Sequence, residues 1–294
     1  MKTLSIGVVG AGRVGAVLAA ALRDEGHEIA AVAGESDASR TRIETMLPGV
    51  RVDKPTAVAR ACDLLLLTVP DDALDNVVRM LVASGAIRPG QYVVHTSGRH
   101  GMAVLRPAVD IGAHGIAMHP AMTFTGTDLD RERLAGAVLG VTCDAGERAV
   151  AEQLAKALGA RLVWVPEEQR ALYHAALAHG ANHLVTLVAQ AMDLLRATGS
   201  DDPAATLRPL LTAALDNALE FGDAALTGPI MRGDLQTVRA HLISLSGAPR
   251  DTVESYVVMG RATANHAVAD GRLEPRRAAA IVALLNDALA GTQV

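Results

Sequence analysis

The first half of the chain alternates short β-rich runs with stretches of helical period. Leu4–Val9 and Glu28–Ala33 read as strands, with a helix over Val14–Glu25 between them. Asp63–Val69 contains four consecutive leucines, Leu64 to Leu67, and predicts a strand buried on both faces. Pro70 ends that run, and Asp71 or Asp72 is placed to cap the next helix. Gln91–His95, Gly115–Met118, Val138–Thr142 and Arg161–Val165 complete the strands. Strands alternating with helices imply βαβ units, right-handed crossovers and a largely parallel sheet.

After Pro166 no strand pattern remains. Gln169–Thr198 is a long Ala/Leu-rich helical stretch. Asp201-Asp202-Pro203 caps another helix, which Pro209 is expected to break or restart. Thr227-Gly228-Pro229 marks a loop, and Asp234 caps a helix over Leu235–Leu245. Pro249-Arg250-Asp251 turns into a helix over Thr252–Asp270, and Glu274–Ala290 is the last. The fold class expected is α/β: a parallel-sheet domain over residues 1–166, then an all-α domain over 167–294.

Composition narrows the function classes. A length of 294 residues fits two domains at about 150 residues each. Half the chain is hydrophobic but only 2% is aromatic, so the core is aliphatic. Lys plus Arg number 27 against 32 Asp plus Glu, with no basic block. Such a chain lacks the basic face and the stacking rings of a nucleic-acid binder. Cys62 and Cys143 are too few for a disulfide scaffold or a cysteine-built zinc site and read as buried thiols. No apolar run reaches the roughly 20 residues that span a bilayer. The first apolar stretch is broken by Gly10, Gly12, Arg13 and Gly15, unlike a secretory signal. The expectation is a soluble, cytoplasmic protein with no membrane partner.

The sharpest motif is Gly10-Ala11-Gly12-Arg13-Val14-Gly15, following a predicted strand and opening a predicted helix. That context gives each glycine a task. The first permits a tight turn, the second lets a pyrophosphate approach the backbone, and the third lets helix pack on sheet. Unpaired N–H groups at the helix start then hold the phosphates. An NAD-type site expects an acidic residue at the end of the second strand. If that strand ends at Ala33, the position is held by Gly34, and Ser36, Ser39 and Arg40 surround a space suited to a 2′-phosphate. NADP(H) is therefore favoured over NAD(H), with Glu35 as the counter-argument.

With these residues in view the chain resembles the NAD(P)-dependent oxidoreductases that join a Rossmann domain to a helical C-terminal domain. That group includes 6-phosphogluconate and β-hydroxyacid dehydrogenases, pyrroline-5-carboxylate reductase, prephenate dehydrogenase and ketopantoate reductase. More narrowly it is similar to a bacterial family with a Rossmann-like domain followed by a domain of unknown function, some members of which act as an alternative ketopantoate reductase. The segments carrying the resemblance are Gly10–Gly15, Thr68-Val69-Pro70-Asp71, His95-Thr96-Ser97-Gly98, the run from His119 to Phe124, Tyr173–Ala176 with Asn182, and Leu226–Asp234.

The resemblance implies a homodimer built through the helical domain and a small-molecule substrate. It places Thr68, Val69 and Pro70 beside the cofactor and makes Ser97, with Gly98 and Thr123, a substrate contact. His119, fixed by Pro120 at a strand end, can donate a proton, hydrogen-bond a carbonyl oxygen or merely order its loop. His174 and Asn182 lie eight residues apart on one helical stretch, where relatives place Lys and Asn. The last lysine here is Lys156, so His174 is the replacement candidate and Asn182 a substrate ligand. Tyr173 could also donate, although packing accounts for it. Arg232 could clamp an anionic group. His179 and His183 lack the Glu of a metal-binding helix, so no metal is expected. The reading is an NADPH-dependent oxidoreductase reducing a carbonyl or imine carbon, with ketopantoate the leading substrate. The alternatives are an imine reductase and an NADP(H)-occupied sensor without turnover; a deazaflavin in place of NADP is a further possibility.

Overall fold

The computed structural model describes residues 3–290. Seven strands form one sheet: β1 (Ser5–Val9), β2 (Glu28–Ala33), β3 (Leu64–Leu67), β4 (Tyr92–His95), β5 (His114–Pro120), β6 (Val138–Cys143) and β7 (Arg161–Trp164). Their order is β2-β1-β3-β4-β5-β6-β7. Every neighbouring pair is parallel except β5 with β6.

The leucine run shows why the sheet is buried twice over. Leu64 and Leu66 pack into the apolar layer that contains Val17, Leu18 and Leu22. Leu65 and Leu67 enter the opposite layer with Leu74, Val78 and Leu81. Alternate side chains of an extended strand point to opposite faces, so each pair serves a different layer. The helices of this part are α1 (Arg13–Asp24), α2 (Asp37–Met46), α3 (Pro55–Arg60), α4 (Asp71–Ala83), α5 (Arg106–Asp110), α6 (Leu129–Leu134), α7 (Arg148–Ala157) and α8 (Arg170–Leu177).

Four local expectations are corrected. Asp71 and Asp72 do not cap α4; Pro70 holds the cap position and the two carboxylates lie in the first turn, where they still favour the helix dipole. The β5–β6 connection carries only the six-residue α6, and the chain returns antiparallel instead of crossing back. Residues 169–198 are not one α-helix: a π-helical segment, Ala178–Asn182, separates α8 from α9 (His183–Ala197). Pro209 lies inside α10 (Pro203–Phe221) without ending it. It sits in the exposed second turn, where the carbonyl of the exposed Ala205 can turn to water.

The strands end at Trp164, and the compact unit they belong to continues through α8. The chain divides into Met1–His179 and Gly180–Val294. The second unit also contains α11 (Gly228–Met231), which begins in the expected loop, α12 (Leu235–Ser244), α13 (Arg250–Ala269) and α14 (Pro275–Leu289). Asp202 and Asp234 cap α10 and α12 by accepting from Ala205 and Thr237 N–H, as their positions predict. Val238, Leu242, Val257, Ile281, Leu284 and Leu285 form the core of this unit. In contrast, α9 buries no residue and α10 only Pro203. No described helix is long and apolar enough to cross a membrane.

Candidate functional site

The glycine loop joins β1 to α1. Gly10 has φ +98°, and a Cβ there would stand 2.7 Å from the Thr68 and Val69 backbone. A Cβ at Gly15 would stand 2.3 Å from Thr68 Oγ1, which itself donates to Gly10 O at 2.7 Å. Thr68 thus ties the loop to the end of β3 through the space that Gly15 leaves. Gly12 is different. Its Cβ would meet nothing nearer than Gly10 O at 3.8 Å, so the fold itself does not demand a glycine there. A ligand lying on the backbone would. No side chain caps α1, so its first N–H groups are available to an anion. The cradle therefore fits a dinucleotide pyrophosphate.

The second strand does end at Ala33. A Cβ on Gly34 would meet Ser39 Cβ at 3.0 Å and Ile43 Cδ1 at 3.1 Å, so a side chain here, a ribose-binding carboxylate included, would crowd the start of α2. Ser36 caps α2: its Oγ accepts from Ser39 N–H at 3.1 Å and lies 2.9 Å from Ser39 Oγ. Arg40 is exposed and pairs with Asp37 at 3.3 Å. A charge that sequence spacing missed lies close by. A Cβ on Gly126 would stand 2.6 Å from Arg42 Nε and 3.0 Å from Arg13 Cγ, so both arginines border the loop after β5. The buried carboxylate of Asp130 holds that loop by accepting from Thr125 and Gly126 N–H at 2.7 and 2.6 Å. Thr123 is exposed on the same loop.

The second constellation gathers at the ends of β4, β5 and β6. His119 Nδ1 lies 3.1 Å from Tyr173 OH, and the two rings meet edge to face. The His174 ring stands edge-on to His119, with centroids 5.8 Å apart. Gly98 makes room for both histidines: its Cβ would be 2.5 Å from His174 Cδ2 and 3.1 Å from His119 Nε2. Burial drives the His119 pKa down to about 4, helped by His174 and Arg170. The ring is therefore neutral at pH 7, with one N–H to donate and one ring nitrogen to accept.

Behind this surface lies a buried scaffold. His95 is fully buried and neutral, its pKa lowered to about 4 by desolvation. Its Nε2–H donates to Gly101 O at 2.9 Å, and its Nδ1 accepts from Ser97 N–H at 3.2 Å. Ser97 Oγ accepts from His100 N–H at 3.1 Å, so the hydroxyl shapes the turn while keeping its own proton to donate. Glu167 closes the turn from the other side by accepting from Met102 and Ala103 N–H.

Thus the structure brings together His119, His174, Ser97 and Gly98. Asn182, exposed in the π-helical segment, and Arg232, exposed at the end of α11, belong to the second unit. Sequence reasoning missed Arg170 and Gly140 and undervalued Tyr173. The signal available was Gly140 itself, a glycine in the middle of a strand, which marks a close approach. Its Cβ would stand 2.4 Å from Tyr173 OH.

Residues 1–120 match the family model for a Rossmann-like domain, and residues 137–263 that for a domain of unknown function, DUF2520. No curated protein matches the chain. Among solved structures, one described as an NADP oxidoreductase from Bacteroides fragilis is 22% identical, with TM-score 0.75 over 89% of this chain and 98% of that one. A protein of Thermotoga maritima is 21% identical, with TM-score 0.66 over 90% and 99%. A reductive aminase from Aspergillus terreus, in complex with NADPH and ethyl levulinate, is 17% identical, with TM-score 0.65 over 95% and 99%. At these identities the likeness is one of fold.

Proposed function

We propose that this protein is an NADPH-dependent oxidoreductase that reduces the carbonyl carbon of a small carboxylate-bearing substrate, a 2-oxo acid such as ketopantoate being the first candidate. The observation that carries the reading is Gly12, a glycine with no partner to avoid in a loop whose other two glycines are both sterically required. The backbone of Gly10–Gly15 holds the pyrophosphate, and Ser36, Ser39 and Arg40 hold the 2′-phosphate, beside Gly34, which stands where an NAD-type site has its ribose-binding acid. The bound cofactor supplies the hydride. His119 polarises the carbonyl: in the tautomer in which Nδ1 accepts from Tyr173 O–H, Nε2 carries the proton beside the space that Gly98 leaves. A neutral N–H donor suits a carbonyl oxygen. It has nothing to offer a protonated imine, which has no lone pair.

The test is cofactor titration followed by NADPH consumption with a panel of 2-oxo acids and cyclic imines. The expected result is tighter binding of NADPH than NADH, and oxidation driven by a 2-oxo acid. Failure to bind either nucleotide overturns the reading. Tight binding with no oxidation across the panel points to a cofactor-occupied sensor.

A homodimer is part of the same proposal. Helices α9 and α10 expose Val185, Leu210, Leu215, Leu219 and Phe221, an apolar surface that a second copy of this chain would cover. Sedimentation of the wild type against Leu219→Lys tests this; a monomeric wild type overturns it.

A further inference from the structure

Arg170 is 1% exposed, and no described carboxylate lies within ion-pair distance of it. Its guanidinium donates to Ser97 O at 2.7 Å, to Thr142 Oγ1 at 3.0 Å and to Gly140 O at 3.4 Å, and Nε has no partner. A buried cation held only by neutral acceptors is costly, and removing a partner from such a site costs still more. Arg170 also opens α8, so Tyr173 and His174, three and four residues on, share its helix face. It therefore fixes the ends of β4 and β6 to the helix that carries both side chains facing His119.

We propose that Tyr173 and Arg170 form a proton relay behind His119, in which Arg170 stabilises a transient Tyr173 phenolate. The inference rests on the reductase reading above. As negative charge develops on the substrate oxygen, His119 releases its Nε2 proton and an O–H bond forms. Tyr173 releases its hydroxyl proton to Nδ1, so His119 stays neutral throughout. The negative charge thus moves from the substrate oxygen to the phenolate, 3.1 Å behind the ring, and water later reprotonates the phenolate. This answers how a histidine too poorly basic to be an imidazolium can still deliver a proton.

Two features support the relay. Burial raises the Tyr173 pKa, while Arg170 and a backbone hydrogen bond from Gly140 oppose that rise by favouring the phenolate. The charged and titratable groups facing the pair are few. Arg170 and His174 come from α8, Glu167 just before α8 and Asp71 at the start of α4 both favour the charged Arg170, and Asp71 also acts on His119 against the two α8 groups. Tyr173 is a positioning and relay residue, since it reaches the substrate only through His119.

Three measurements test the relay, two of which need neither substrate nor cofactor. Nitrogen-15 spectra of the full chain, with His119 assigned by its loss in His119→Asn, should show Nε2 protonated and Nδ1 accepting. Tyr173→Phe should abolish that fixed tautomer. Ultraviolet titration of the phenols, assigned against Tyr173→Phe, should show Tyr173 ionising at higher pH in Arg170→Met. If Arg170→Met does not fold, Arg170→Lys, which keeps the charge, should titrate like the wild type. In turnover with NADPH and the best 2-oxo acid, Tyr173→Phe should lower kcat about 100-fold with little change in KM. A proton on Nδ1 in the wild type, an unmoved phenol in Arg170→Met, or an unchanged kcat in Tyr173→Phe overturns the relay. Absence of any turnover in the wild type defeats the reductase reading instead, and the two spectroscopic results still judge the relay.

Discussion

The glycine loop and the histidine cluster stand at the same carboxyl edge of one sheet but are built from opposite materials. The loop is backbone: two glycines forced by near neighbours, a third left open, and one threonine hydroxyl filling the gap. The cluster is side chain: four elements contribute, and its main ties join residues far apart in sequence. Tyr173 reaches His119 across 54 positions and Arg170 reaches Ser97 across 73. A site made of backbone shows in the spacing of its glycines, even though Thr68 ties it down across 58 positions, and the N–H groups it offers do not titrate. A site made of buried side chains is specified only by the finished fold and is sensitive to protons.

The contrast can be broken from either side. The largest effect is expected from Gly140→Val, which drives methyl groups into the space of the Tyr173 ring. Overpacking of this kind costs about 3 kcal/mol or more, and thermal unfolding should show it. A loss below about 1 kcal/mol would mean that the cluster is looser than its distances suggest.

Acid should separate the two regions next. Folded His95 and His119 are both neutral, with pKa values lowered to about 4, whereas in the unfolded chain they protonate near 6.5. The unfolded state binds more protons between these values. Stability is therefore full above pH 6.5 and falls as the pH drops towards 4. His95 accounts for up to roughly 3 kcal/mol of that loss, and the half-buried His119 for less. Denaturant midpoints measured from pH 7 to pH 4 check the slope, and His95→Asn should flatten it.

Gly12→Ala sharpens the comparison by leaving the fold alone. Its methyl group meets only Gly10 O at 3.8 Å, so the melting temperature should hold. NADPH affinity should fall at least about tenfold, or 1.4 kcal/mol, because the methyl stands where the pyrophosphate must lie. Calorimetric titration decides. The smallest effect is expected from Arg40→Ala. Arg40 is exposed and shared with Asp37, so NADPH should weaken by only several-fold, with NADH unchanged. Equal weakening of both nucleotides would remove Arg40 from the 2′-phosphate site.

The same difference explains what was legible in the sequence. Gly10, Gly12 and Gly15 could be read from spacing because the strand, turn and helix around them are decided within a few residues. The end of β2 at Ala33, and hence the meaning of Gly34, followed from the same local logic. The reversed direction of β6 did not, because both directions satisfy an apolar run of that length. His119 could be singled out by Pro120 beside it, but its partner could not. Tyr173 looked like packing next to a helix start until Gly140 was found beneath it. The spacing argument linking His174 to Asn182 assumed an unbroken α-helix, and the π-helical turn between them shifts that register. Arg170 had no signature at all, since an arginine opening a helix is ordinarily solvated.

That arginine has a consequence for the behaviour of the protein in salt. Surface pairs such as Arg79 with Asp75 or Arg106 with Asp110 lie within reach of dissolved ions and fade as the screening length shrinks to about 3 Å in molar salt. Arg170 is sealed among carbonyl and hydroxyl oxygens, where no counter-ion can follow. Its hold on the ends of β4 and β6 is therefore set by the fold and not by the medium, and the arrangement around His119 should be the same in dilute buffer and in brine.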